Sequence, residues 1–156
     1  MQKVVSCSLL LFMFHFCEAQ KLEIKYYPSF HLNGRYIVMC NDKLCTLQFD
    51  VIDRKDSSKI LISETRTVPD KQIDEVKRLL ETARVLSSYH GSCLDGMQVN
   101  GMFKNDTLRN EFVFDCLPNK KGIVQYDFLR QTNKTMLKVL KDRKSKRYVK
   151  IIKEYL

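Results

Sequence analysis

RYIVMCNDKLCTLQFDVID, residues 35–53, is the stretch on which the fold turns. Arg35–Cys40 is a β-branched and aromatic run reached through Asn33-Gly34. From Cys45 the chain alternates: Cys45, Leu47, Phe49 and Val51 share one side, and Thr46, Gln48 and Asp50 the other. That period of two is the mark of a half-buried strand. Asn41-Asp42-Lys43 supplies a polar turn, so the stretch reads as an antiparallel hairpin. Partners in such a ladder share one midpoint, and that of Cys40 and Cys45 falls between Asp42 and Lys43, inside the turn. The two cysteines therefore face each other across the hairpin.

The same geometry applies to CLDGMQVNGMFKNDTLRNEFVFDC, residues 93–116. Met97, Val99 and Phe103 alternate on one arm, Phe112, Phe114 and Cys116 on the other, with a polar turn between them. A ladder with Cys93 opposite Cys116 centres on Lys104-Asn105, close to the most polar part of the stretch. The pairings Cys40–Cys45 and Cys93–Cys116 are favoured over crossed ones, which stay open if a shared sheet edge brings the two pairs together. In the loop-entropy picture the longer loop stabilises by roughly 3.5 kcal/mol and the shorter by about 2 kcal/mol. Neither pair is a Cys-x-x-Cys turn at a helix start, so a scaffold role outweighs a redox one. Zinc would need a second close pair or paired histidines beside CNDKLC; no metal and no cofactor is expected.

Outward from the hairpins, RKDSSK turns the chain into ILISETRTV, a strand whose polar far half suits a sheet edge. Pro69-Asp70 opens a helix in which Ile73, Val76, Leu79, Leu80, Ala83 and Leu86 form one stripe, with Asp70 as cap and Gly91 closing the end. Beyond Pro118, GIVQYDFLRQ suits a short helix or a strand. The segment from Met136 begins as helix, and YVKII suits either helix or a closing strand. The expected fold is α+β: a three-strand meander plus a second hairpin, packed by one amphipathic helix, with a basic C-terminal helical segment.

Residues 1–19 read as a cleaved signal peptide: Lys3, an apolar run from Val4 to Phe16, and Ala19 before the cut. Residues 20–156 then form a single domain, exported to a periplasm or secreted, with four cysteines suited to an oxidising compartment. No later stretch approaches the ~20 apolar residues of a membrane helix.

Charge is concentrated at the end. Residues 136–156 hold eight Lys/Arg and two acidic side chains, whereas 20–135 hold eighteen and fifteen. Lys141, Arg143, Lys144, Lys146 and Arg147 are candidate contacts for an anionic glycan or a membrane surface. Only Tyr148 and Tyr155 are near enough to stack bases, so specific nucleic-acid binding is disfavoured. His31 and His90 invite a ribonuclease-like acid–base pair, the main enzymatic alternative, but no motif surrounds either. His90 is expected at the helix end. Asp50, Asp53 and Asp56 are expected to be solvated. The sequons at Asn105 and Asn133 would carry glycans in a eukaryotic secretory pathway. No nucleophile elbow, phosphate loop or zinc-protease helix occurs. The expected function is non-enzymatic binding of an unknown protein partner, as an inhibitor or immunity-type protein. A secreted polyanion-binding factor is the alternative binding reading.

Overall fold

Alternation begins earlier than the expected meander: Leu22, Ile24 and Tyr26 are buried, while Lys21, Glu23 and Lys25 between them point away. The computed structural model describes residues 19–42, 44–93, 96–118 and 120–156, so only Ala19 of the expected leader is included. The chain runs β1 (Gln20–Pro28), β2 (Asn33–Cys40), β3 (Cys45–Ile52), β4 (Ile60–Thr67), α1 (Asp70–Arg84) and β5 (Tyr89–His90). It continues with β6 (Met97–Lys104), β7 (Arg109–Asp115), α2 (Val124–Val139) and α3 (Arg143–Glu154).

The strands form one seven-stranded sheet in the order β4-β3-β2-β1-β6-β7-β5, antiparallel except for the short β5–β7 pair. The expected three-strand meander is therefore four strands long. Its extra strand, β1, is central and joins the two hairpins, pairing with β2 on one side and β6 on the other. β4 is the edge, as its polar far half required.

The β2–β3 hairpin has the expected register, with Cys40 opposite Cys45 and the two bonded. Cys93 and Cys116 are also bonded, but for a different geometric reason. Gly101 pairs with Phe112 and Lys104 with Arg109, which moves the turn to Asp106-Thr107. Asn105 Oδ1 fixes that turn by accepting from the N–H groups of Thr107 and Leu108. Cys93 thus precedes the ladder and reaches Cys116 from the β5–β6 loop.

Among the described residues three helices, not one, cover the sheet. Leu22, Ile24, Tyr26, Tyr36, Val38, Leu47, Phe49, Val99, Phe103, Phe112 and Phe114 face them and join the helices in one apolar cluster. α1 follows its expected stripe, burying Val76, Leu79, Leu80 and Ala83. Its ends differ from expectation. Pro69 precedes it without a side-chain cap, and Asn110 closes it by donating to the carbonyls of Ala83 and Leu86. Gly91 instead follows β5, where its N–H donates to the Asp115 carbonyl. GIVQYDFLRQ resolves as the start of α2, and YVKII as part of α3.

On the uncovered face, Asp50 is fully buried in place of the expected solvation. Arg35, Gln48 and Ser63 all donate to it from the same and neighbouring strands, at 2.6–3.0 Å. A buried charge so completely paired is strongly coupled to the local register.

Candidate functional site

The expected basic tail is a docked helix. α2 ends at Leu140, whose extended backbone breaks the helix. Two carboxylates then rebuild it as α3. Glu64, on edge strand β4, accepts from the backbone N–H groups of Lys141 (2.7 Å) and Asp142 (3.1 Å). Asp142 accepts from Ser145 N–H at 2.7 Å, an N-cap of the usual kind. Burial works to raise the Glu64 carboxyl, but the Lys141 N–H, the Arg66 guanidinium and the Asp142 N–H together hold it below the ordinary value. The Ser145 N–H holds Asp142 low in the same way.

α3 buries Ser145, Tyr148, Val149 and Ile152. It comes close enough to β2 that a Cβ on Gly34 would stand 2.9 Å from Ile152 Cδ1. The Tyr148 ring packs near Phe49, and burial pushes its phenol well above its ordinary value, so it stays neutral. With that face committed to the core, the others carry Arg143, Lys144, Lys146, Arg147, Lys150 and Lys153 against Glu154 alone. Among the described residues none of these six, nor Lys141, lies within ion-pair distance of a carboxylate. Lys21, Lys25, Arg35, Arg66, Arg109 and Lys138 are so paired, and the four cations of α1 are not, but there four acidic side chains share the helix.

The five cations picked out in the sequence thus come together, and helical spacing adds Lys150 to them. These six line one open depression of about 640 Å³. Lys144 and Arg147 also line an adjoining trough of about 590 Å³, whose other walls include Phe30, Leu32, Ile62, Tyr148 and Ile151. No local sequence pattern marks the apolar trough, because it joins the β1–β2 loop, β4 and α3. Lys150 was legible from its step of three and four beyond Arg147 and Lys146.

The other candidates separate. His31 lies in the trough with Nδ1 2.6 Å from the Tyr155 hydroxyl. His90 is not at a helix end but in β5, with Nδ1 2.8 Å from Asp115 Oδ2. Each imidazole thus has its own partner, on a different element. Asn105 is in the β6–β7 turn. Asn133 is 1% exposed inside α2, a position whose packing leaves no room for a glycan in the folded chain. Asp53 and Asp56 do sit in the β3–β4 turn, accepting from nearby N–H groups. Among the described residues no cluster of His, Cys, Asp or Glu suits a metal ion, and no helix is long and apolar enough to cross a membrane. Comparison with protein-family models, curated proteins and solved structures finds no match.

Proposed function

We propose that the chain is an exported, non-enzymatic binding protein that docks an anionic macromolecular partner through the outer face of α3. The observation that carries this reading is the gathering of Lys141, Arg143, Lys144, Lys146, Arg147 and Lys150 around one open depression, on a helix with a single acidic side chain. A merely solvated helix face would carry both signs, which lowers self-repulsion. Here the repulsion is retained on a helix whose start is held by two dedicated carboxylates. Its neutralisation is therefore deferred to a partner. The two disulfides agree with a working place outside the reducing cytosol.

The test is retention on a heparin column of the intact protein against a Lys144→Gln/Lys146→Gln/Arg147→Gln variant. The variant should elute at much lower salt with its circular dichroism unchanged. Equal retention of the two proteins would remove α3 as the binding face.

A further inference from the structure

The apolar trough beside α3 says what kind of anionic partner fits. Phe30, in the loop between β1 and β2, is 69% exposed and shares the trough with Leu32, Ile62 and Ile151. Ile60 and Leu61, both exposed, begin β4 at the same end of the sheet: Ile60 pairs with Ile52, which pairs with Asn33 at the end of the Phe30 loop. Arg54, Lys144 and Arg147 border the trough, and the last two also line the basic depression. An exposed aromatic ring, the aliphatic side chains of the trough and the cations of the basic depression are therefore continuous on one corner of the molecule.

A sulfated polysaccharide satisfies only half of this surface, since it brings charge but no hydrocarbon to cover Phe30 and Ile151. An acidic protein surface would have to pair a matching apolar knob with its carboxylates. A bilayer with anionic headgroups offers both at once, charge at the headgroups and hydrocarbon just beneath. We propose that this corner docks on an acidic phospholipid bilayer, with Phe30 entering the interface and the α3 cations lying over the headgroups. The inference rests on the reading of α3 as the anion-binding face, and deepens it. α3 itself stays packed on the sheet, because its apolar side is already used by Val149 and Ile152. The hydrocarbon contact is made by the loop.

The chain contains no tryptophan, so Phe30→Trp supplies a single reporter at the point of contact. The emission of this variant should shift to the blue with phosphatidylcholine vesicles containing phosphatidylserine, and stay unmoved with phosphatidylcholine alone or with soluble heparin. In co-sedimentation, Phe30→Ser should weaken binding to the phosphatidylserine vesicles by about tenfold or more, the scale of burying a phenyl ring. Its heparin retention should be that of the native protein. Vesicle binding unaffected by Phe30→Ser, or an emission shift with heparin in place of vesicles, would overturn the bilayer proposal and leave the α3 reading standing. Vesicle and heparin binding both unaffected by Lys144→Gln/Arg147→Gln would overturn the α3 reading itself.

Discussion

α1 and α3 solve the same packing problem and differ in what they show to solvent. Each lays one apolar stripe on the same face of the sheet: Val76, Leu79, Leu80 and Ala83 in α1, Tyr148, Val149 and Ile152 in α3. α1 carries four acidic and four basic side chains, so its outer face is charge-balanced. α3 carries six basic and one acidic. Their starts differ in the opposite sense. α1 begins at Pro69 with no side-chain cap, whereas α3 is held by Asp142 and by Glu64 from another element. The helix with the less favourable surface has the more elaborate anchorage. Folding alone accounts for the balanced surface of α1, and on the proposal above a partner accounts for that of α3.

The sharpest way to break this contrast is to neutralise three cations on each helix. On α3, Lys144→Gln/Lys146→Gln/Arg147→Gln removes about 1 kcal/mol per charge near an anionic surface, roughly two orders of magnitude in affinity. On α1, Lys71→Gln/Lys77→Gln/Arg78→Gln changes net charge equally and should leave vesicle affinity within a factor of about two. Equal losses would mean that net charge, not the α3 face, drives binding.

Next comes the floor beneath the helices. Gly101 in β6 lies under the Phe112 ring, which stacks on Phe114 and meets Phe128 of α2 edge-on. A Cβ on Gly101 would fall 2.0 Å from a Phe112 ring carbon. The ring is wedged on its far side by α2, so Gly101→Ala should cost about 3 kcal/mol in urea unfolding. A loss below ~1 kcal/mol would show that the Phe112–Phe128 contact yields easily.

Glu64→Gln tests the anchorage. It keeps shape but removes the charge that the N–H groups of Lys141 and Asp142 and the Arg66 guanidinium all face. A cost of about 2 kcal/mol is expected, with the loss of amide protection concentrated in α3. Uniform loss across α1 and α3 would mean that Glu64 supports the sheet, not the helix start. Acid should mimic the substitution. The folded carboxyls of Glu64 and Asp142 lie below their ordinary values, so protons bind the unfolded chain more tightly. Their contribution is complete above the unfolded value, 4.5 for glutamate, and fades as pH falls through the lowered folded values. Of the carboxylates on α1, Glu75 is held low, chiefly by its hydrogen bond from Lys138. Hydrogen-exchange protection should therefore fall more steeply in α3 than in α1 below that pH; parallel losses would contradict it.

What the sequence made legible follows the range of the interactions. Cys40–Cys45 and its register were readable because a short turn and a clean alternation leave one choice. The cysteine spacing points to Cys93–Cys116 but not to the ladder, since Asn105 Oδ1 sets the turn two residues later than the cysteine midpoint. β1 carries the same alternation as β3, yet its central place depends on pairing with β6, about half the chain length away. The basic cluster was visible residue by residue. That it forms a helix face with Lys150 depends on Glu64, and that it adjoins an apolar trough depends on Phe30 and Ile62. No local pattern encodes those distant contacts.

The smallest expected effect concerns how closely α3 sits on the sheet. Gly34→Ala brings a Cβ within 2.9 Å of Ile152 Cδ1, the free end of a flexible side chain. The helix can yield by a few tenths of an ångström, so the cost should be about 1 kcal/mol, less than at Gly101. Ile152→Val removes that methyl and by itself costs about 1 kcal/mol through the space it leaves. Combined, the two changes fill and vacate the same volume, and the double variant should lose clearly less than the sum of the single losses. Heparin retention should be unchanged throughout, because no cation on the outer face has moved relative to the others. Strict additivity of the two losses would place Ile152 away from Gly34, and with it the docking of α3 that turns its cations outward.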